Sequence, residues 1–422
     1  MTEKLLIRGG TPLFGKVEIN GYKNSAGAIL AAALLPEKSS IIDNLPLCSD
    51  VLDQIEILKS MGAKIKWLGK RKIRIDPKDI RPEKIPFDLF EKMRVSVLLI
   101  GPLLARFKKL KVPHPGGDKI GLRPISSHLE ALKDFGIKIK EKSGFYYFRT
   151  PEKMKGRRII LKEFSVTATE NIMMLAAKAK GKTIIEMAAG EPQVQDLARF
   201  LEKMGVEVKG AGNHVLEIEG RQKLRGAKFK ISPDPLEVGT FLIAFAITQG
   251  QGVIKNVVPE HLTSFLEKMK EAGVNFKILK NKILVNKSKK LKAIKIQVLP
   301  YPGFPTDLQP MTSVLLSQAE GKSLIHDPLY ESRFGYAQEL KKMGANIEIV
   351  DPHRAFIWGP SGLWGEKITG PDIRAGAALL LAGLITRGQT EISDCSQIDR
   401  GYEKIDEKLK GLGARIKRIT LR

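Results

Sequence analysis

KSMGAKIK, residues 59–66, recurs down the chain as KDFGIKIK at 133–140, EKMGVEVK at 202–209, KEAGVNFK at 270–277, KKMGANIE at 341–348 and KGLGARIK at 410–417. Its glycine falls at Gly62, Gly136, Gly205, Gly273, Gly344 and Gly413, with spacings of 74, 69, 68, 71 and 69. A period of about 70 residues makes the chain six copies of one unit, and a repeat of that kind decides the fold before any single element does. Within the phrase, glycine supplies the left-handed residue that ends a helix, and the residues after it run apolar, polar, apolar, as a strand does. Ahead of the glycine lies an amphipathic helix, such as VLDQIEILKSM (51–61) or LARFLEKM (197–204).

Each unit also holds a helix of another kind. The stretches at 24–35, 94–107, 167–181, 237–250, 307–321 and 372–388 are apolar nearly all round, as in NSAGAILAAALL and EVGTFLIAFAITQG. A helix of that composition belongs in an interior. Strand-like runs such as KTIIEMAA or SLIHDPL follow, so the unit reads as buried helix, strand, surface helix and paired strands. Six such units make two domains of three.

Polar residues mark the starts of the buried helices: Lys23 with Asn24, Arg94, Thr167, Glu237, Asp307, and Asp372 with Arg374. Capping accounts for Asn24, Thr167, Asp307 and Asp372. It does not account for Lys23, Arg94 or Arg374, because a cation at a helix N-terminus opposes the macrodipole and is better explained by an external anion. Parallel buried helices would bring these positive ends together.

Composition narrows the classes. Of 422 residues, 43% are hydrophobic and 28% charged, which suits two globular domains. The longest apolar runs, LLIGPLLA (98–105) and AGAALLLAGLI (375–385), are shorter than the roughly 20 residues of a membrane span. The first residues, MTEKLLIRGGTPLFG, lack the apolar core of a secretory signal, and a cytoplasmic protein is the expectation. Cys48 and Cys395 stand 347 positions apart, which offers neither a disulfide framework nor a metal-ligand spacing. The excess of 71 basic over 46 acidic residues, +25, is mostly lysine spread through the chain with few aromatics between, so a solvated surface explains it better than nucleic-acid binding does.

With the repeats in place, GGTPLFGKVEINGYKNSAGAILAAALL (9–35), PGGDKIGLRP (115–124), FPTDLQP (304–310), SRF (332–334), PDIRAGAALLLAG (371–383) and QIDRGYEKI (397–405) resemble the motifs of the UDP-N-acetylglucosamine 1-carboxyvinyltransferases, from Ile7 to about Lys417. The resemblance implies an α/β fold: a two-domain inverted α/β barrel with helices inside, made of six βαβαββ units, three per domain. It places one domain at 22–232, with a catalytic loop at about 113–124, and the other at 1–21 plus 233–422; the crossings near Gly21 and Pro233 would be the hinge.

The activity implied is transfer of the enolpyruvyl group of phosphoenolpyruvate to the 3-hydroxyl of UDP-N-acetylglucosamine, with release of phosphate and without a metal or other cofactor. This chemistry asks for a proton donor to the methylene carbon, a base for the hydroxyl, and cations for phosphate and carboxylate. By resemblance, Lys23, Arg123 and Arg400 cradle phosphoenolpyruvate, helped by Arg94, Arg333 and Arg374; arginine suits because its planar fork holds two oxygens at once. Asp307 matches the base and sugar-hydroxyl contact, and Asn24 lies beside the reacting carbon. Arg123, Pro124, Ile125, Ser126 and Ser127 match one segment that contacts the sugar nucleotide, and Glu163, Phe164, Ser165 and Val166 a second. Leu329 joins the same substrate-binding set. Asp372 and Asp399 closely precede Arg374 and Arg400 and are expected to orient them.

Asp118 stands where most members of that family carry cysteine. A carboxylic acid can give a proton and leave as an anion, but is a poor nucleophile toward an epoxide, so Asp118 is expected to be the general acid of an enzyme that resists fosfomycin. Lys119 and Arg123 flank it with positive charge, which opposes protonation, and closure of the loop over an anionic substrate is the expected remedy. His114 and His128 flank the loop, with structural roles expected before catalytic ones. Two departures bear on the acceptor: Pro235 follows Asp234 where an arginine is usual, and Glu163 stands where some members carry lysine. The alternatives are an enolpyruvyl transferase for another acceptor, such as shikimate 3-phosphate, and a basic nucleic-acid-binding protein of the same repeats. The Lys23–Asn24 pair and PGGDKIGLRP argue against the shikimate enzyme.

Overall fold

The six repeat glycines, Gly62, Gly136, Gly205, Gly273, Gly344 and Gly413, all have left-handed backbones, with φ of 99°, 94°, 103°, 83°, 97° and 99°. A side chain there would strain the backbone, which is why one residue type recurs at that point of the phrase. The computed structural model describes residues 3–118 and 120–420. Contacts divide the chain into two units, Gly21–Asp118 with Arg123–Ser232, and Met1–Asn20 with Lys119–Leu122 and Pro233–Arg422.

The unit of Gly21–Asp118 and Arg123–Ser232 contains three sheets. In one, Lys228–Lys230 runs parallel to Ser40–Asp43, which pairs antiparallel with Lys72–Asp76 and through it with Lys64–Gly69. The order recurs in Arg158–Ile160, Lys182–Glu186, Val215–Glu219 and Glu207–Lys209. The third, Lys109–Pro113, Phe145–Arg149 and Lys138–Lys142, is antiparallel and, among the described residues, three-stranded.

The other unit contains three four-stranded sheets. Phe14–Glu18 runs parallel to Gln251–Lys255, and Lys295–Gln297 to Gly321–His326; each second strand then carries an antiparallel pair. In the last sheet Lys367–Thr369 is parallel to Gln389–Ser393, and the N-terminal strand Glu3–Arg8 fits between Gln389–Ser393 and Arg415–Thr420. Leu5 and Ile7 of that strand are fully buried.

Buried helices fill the interiors, as their composition requires. Every residue of Pro235–Ile247, Gln309–Leu316 and Ile373–Gly383 is buried. So is nearly all of Lys23–Ala32, Ile100–Arg106 and Val166–Ala176. Each large side chain buried in this way, such as Phe241 or Leu379, contributes on the order of 1.5–3 kcal/mol. The fold is therefore mixed α/β with helices inside, as the repeats imply. Two starts differ from expectation: Arg94 opens a 3-10 turn, Arg94–Leu99, ahead of the helix Ile100–Arg106, and Asp307 lies in another, Thr306–Leu308. Pro102 and Pro310 stand in the first turns of the helices that follow, where a missing N–H costs least. No helix among the described residues is long and apolar enough to cross a membrane.

Candidate functional site

In the unit of Gly21–Asp118 and Arg123–Ser232, the expected cations gather at helix starts. Lys23 opens the helix Lys23–Ala32, and its Nζ donates to Asp50 Oδ2 at 2.9 Å. Burial alone would pull the Lys23 pKa down, but the charge of buried Asp50, with smaller effects from Cys48 and Asp118, pushes it above the ordinary lysine value. Lys23 is held as a cation, and Asp118 is close enough to contribute. Arg94 donates through Nη1 to the carbonyl of Arg123 and through Nη2 to that of Pro124 at 3.0 Å, so one guanidinium holds the exit of the loop. A Cβ on Gly117 would lie 3.2 Å from Arg123 Nη1 and 2.8 Å from Arg94 Cβ, which places both arginines against the loop backbone beside Asp118. Lys119 lies outside the described residues.

The two expected nucleotide segments meet in this unit. Ser127 Oγ donates to Glu163 Oε1 at 2.7 Å, and His128 Nε2 lies 2.8 Å from Thr167 Oγ1. Phe164 is half-exposed, with its ring against His214 at 4.7 Å between centroids. Ile125 ends the loop as a buried anchor; Pro124 and Ser126 on either side of it are exposed. Ser165 caps the helix Val166–Ala176 by accepting from Ala168 N at 3.4 Å, so the cap falls two residues before the expected Thr167. Asn24 is no cap either; its Nδ2 donates to the Tyr22 hydroxyl at 3.1 Å. Burial, helped by the charge of Arg94, lowers the His128 pKa to about 3, so this histidine stays neutral, in keeping with the structural role expected of it. His114 stacks on Tyr146 at 4.5 Å.

In the other unit, two buried-helix starts and the turn that carries Arg333 converge. Asp307 Oδ1 accepts from Arg333 Nη2 at 2.7 Å and its Oδ2 from Arg374 Nη2 at 3.2 Å. Both arginines are buried, at 1% and 4% exposure, whereas Asp307 keeps 29% of its side chain exposed. Arg333 also donates to the Thr306 carbonyl from Nε at 3.3 Å and from Nη2 at 3.2 Å. Asp307 therefore serves as the anion of a buried network and not as the expected helix cap. Arg374 lies over the Tyr402 ring at 5.2 Å. Leu329, half-exposed, donates its N–H to Asp327 Oδ1 at 3.1 Å.

Asp372 does cap: its Oδ1 accepts from Arg374 N at 2.8 Å and Ala375 N at 3.0 Å, so it orients Arg374 through the backbone. Asp399 departs from expectation. Arg418, 19 residues on, takes both its oxygens, at 2.7 and 2.9 Å, while Arg400 donates to Gln397 Oε1 at 2.9 Å. The reason is geometric: consecutive side chains on a helical turn point apart.

The sequence reading named Asp234 only for the proline that follows it. Asp234 caps Pro235–Ile247 by accepting from Leu236 N at 2.8 Å and Glu237 N at 3.2 Å, and Pro235 takes the first helical position, which favours proline. Burial raises its pKa to about 6, against the opposing charge of Arg374 and with the help of Glu237. Asp50 and Glu331 carried no local signal. Glu331 Oε1 accepts from Leu122 N at 2.6 Å, and Ser332 N donates to the Ile120 carbonyl at 3.1 Å.

Both cysteines are buried, and burial raises the Cys395 thiol to about 11. Among the described residues one trio has metal-ligand geometry, Glu3, Cys395 and Asp399, and Arg418 donates to all three. A guanidinium fills the place an ion would take.

Comparison with known proteins gives one consistent outcome. The family model of EPSP synthase (3-phosphoshikimate 1-carboxyvinyltransferase) matches residues 7–409. A UDP-N-acetylglucosamine 1-carboxyvinyltransferase of Halothermothrix orenii is 44% identical over 416 residues, 99% of each chain. A UDP-N-acetylglucosamine 1-carboxyvinyltransferase 2 of Listeria innocua is 43% identical over 421 residues, 100% of this chain and 99% of that one. Among solved structures, the enolpyruvyl transferase NikO of Streptomyces tendae superposes over 100% of both chains with a TM-score of 0.90 at 24% identity. EPSP synthase of Acinetobacter baumannii does so over the same share with a TM-score of 0.76 at 20% identity. At those identities the structures speak for the fold.

Proposed function

The chain belongs to the EPSP synthase family of carboxyvinyltransferases, and from that premise we propose that it transfers the enolpyruvyl group of phosphoenolpyruvate to the 3-hydroxyl of UDP-N-acetylglucosamine, the entry step of peptidoglycan synthesis, in the cytoplasm. The observation that carries the reading is the pairing of carboxylate with cations in each unit: Asp118 near Lys23, Arg94 and Arg123 in one, and Asp307 held by Arg333 and Arg374 in the other. The full-length identity to relatives named for the sugar nucleotide favours that acceptor over shikimate 3-phosphate.

In this reading residues 22–232 form one catalytic domain, 1–21 with 233–422 the other, and the loop at about 113–124 is a lid. Lys23, Arg94, Arg123, Arg333, Arg374 and Arg400 hold the phosphate and carboxylate of phosphoenolpyruvate. Asp118 gives a proton to the methylene carbon, C3, while Asp307 takes the proton of the sugar hydroxyl and its oxygen bonds to C2. The tetrahedral adduct then returns a proton from C3 to the Asp118 carboxylate as the C2–O bond to phosphate breaks and Asp307 gives up its proton to the departing phosphate, which restores the double bond and releases inorganic phosphate. Asn24 flanks the reacting carbon. Ser126, Ser127, Glu163, Phe164 and Leu329 line the acceptor, with Pro124, Ile125, Ser165 and Val166 shaping the backbone around it.

Phosphate release is the test. Release with phosphoenolpyruvate and UDP-N-acetylglucosamine is expected; release with shikimate 3-phosphate instead overturns the acceptor, and release with neither overturns the reaction. Asp118→Asn should abolish turnover with substrate binding largely kept, and Asp118→Cys should restore turnover together with sensitivity to fosfomycin. Unchanged turnover in Asp118→Asn removes the general-acid role, and a fosfomycin adduct on Asp118 by mass spectrometry removes the expected resistance.

A further inference from the structure

Arg418 lies on the strand Arg415–Thr420, and every one of its N–H groups meets an acceptor. Its two terminal nitrogens fork the carboxylate of Asp399, with Nη1 to Oδ2 at 2.7 Å and Nη2 to Oδ1 at 2.9 Å. Nε and Nη2 fork Asp406 at 3.1 and 2.8 Å. Nη1 reaches Glu3 Oε2 at 2.9 Å and Cys395 Sγ at 3.3 Å. The hydrogen bonds of Asp399, working against partial burial, hold the Arg418 pKa above the ordinary arginine value.

What these acceptors bracket is Arg400. Asp399 ends the short helix Ser396–Asp399, and Asp406 lies in the first turn of Ile405–Gly411. One guanidinium therefore grips both ends of the segment from which Arg400 projects. The same segment is pressed on the helix that carries Arg374: a Cβ on Gly401 would come within 2.4 Å of Ile373 Cγ2, and one on Gly376 within 2.7 Å of Ile398 Cγ1. Without Arg418, the carboxylates of Glu3, Asp399 and Asp406 would be left without their shared cation at the two ends of that segment, and their negative field would weaken the hold of Arg400 on an anion.

We infer that Arg418 is a positioning residue, which sequesters Asp399 and braces the 399–406 segment so that the charge of Arg400 is presented to the phosphate-bearing substrate. The inference rests on the enolpyruvyl-transfer reading. A planar two-armed fork is what the geometry uses, so lysine is a poor replacement despite its charge. The experiment compares Arg418→Lys, Arg418→Met and Arg418→Met with Asp399→Asn in the full chain, by steady-state phosphate release and by calorimetric titration with inorganic phosphate.

Arg418→Met is expected to raise KM for phosphoenolpyruvate about tenfold or more, at one order of magnitude per lost charge-assisted contact, with KM for the sugar nucleotide unchanged and kcat much less affected. Arg418→Lys should fall between, and adding Asp399→Asn should recover part of the loss. A wild-type KM in folded Arg418→Met or Arg418→Lys overturns the inference, as does a double variant no better than Arg418→Met, since a merely structural brace would not be rescued by neutralising Asp399. Should Arg418→Met not fold, the lysine variant alone and in combination with Asp399→Asn gives the same comparison. Failure of the wild-type enzyme to release phosphate counts against the reaction, whereas the ratio of variant to wild-type phosphate affinity in the titration bears on Arg418 alone.

Discussion

The two units place the same kinds of residue in opposite settings. Around Asp307 the cations are buried, and Arg333 and Arg374 bond to one carboxylate across a packed frame of helix starts. Around Asp118 the cations hold a glycine-rich loop by its carbonyl groups, and Asp118 itself is half-buried between Gly117 and the loop tip. The first arrangement is fixed by folding, since a buried ion pair that loses one member leaves an uncompensated charge. The second is held by a few backbone contacts and can rearrange at modest cost. A group that must approach substrate and retreat belongs in the second setting, and a group that must keep one orientation belongs in the first.

The sharpest way to break this comparison is to remove one arginine from each side. Arg333→Met should destabilise the protein by about 3 kcal/mol, because it takes away the 2.7 Å partner of Asp307 Oδ1 and the two bonds to the Thr306 carbonyl, whereas Arg123→Met should leave stability within about 0.5 kcal/mol of wild type while losing turnover. Chemical denaturation followed by circular dichroism measures both. Equal losses would mean that the loop is as firmly built as the buried network.

A second effect is set by pH. The pKa of Asp234 is about 6 in the folded protein, above the ordinary carboxylate value, so the folded state binds the proton more tightly than the unfolded one. Its contribution to stability is fully present below the ordinary range and is lost as pH rises through about 4 to 6. A difference of two pH units corresponds to on the order of 3 kcal/mol. Asp234→Asn, which keeps a good capping residue, should flatten the wild-type decline over that window; an unchanged slope would show that Asp234 does not titrate there. In the other unit, buried Glu170 is raised in the same direction, first by burial and then by Glu191, so some decline should persist in Asp234→Asn.

The smallest expected effect sharpens the loop side. Gly121 has φ of 145°, and a Cβ there would come within 2.4 Å of Glu331 Oε2. Gly121→Ala should cost about 1 kcal/mol in the strained backbone and weaken the Leu122 to Glu331 hydrogen bond. Turnover should fall severalfold while thermal stability barely moves. A large drop in melting temperature would place Gly121 with the buried frame.

Much of this was legible in the sequence, and the reason is repetition. One glycine that closes a helix is a weak signal, but six at one period, all left-handed in the structure, are enough to fix the unit. The buried helices were legible because they are apolar on every face. What escaped depends on partners distant in the chain. Asp399 is adjacent to Arg400, yet its fork comes from Arg418; Asp50, the counter-charge of Lys23, stands 27 residues away with no motif around it. Capping was misread wherever a nearby residue competed, as Ser165 does with Thr167, because boundaries shift by a residue or two while the polar composition of a helix start stays the same.

The strand Glu3–Arg8 finds both its neighbours, Gln389–Ser393 and Arg415–Thr420, about four hundred residues downstream. During synthesis that strand must therefore wait, with Leu5 and Ile7 uncovered, until nearly all the rest of the chain has been made. The stretch from Gly21 to Ser232 is interrupted only at Lys119–Leu122 and can build its own sheets meanwhile. For the unit that contains this strand, the first segment made is thus among the last to be completed, and its long-range pairing makes that step the slower and more aggregation-exposed one.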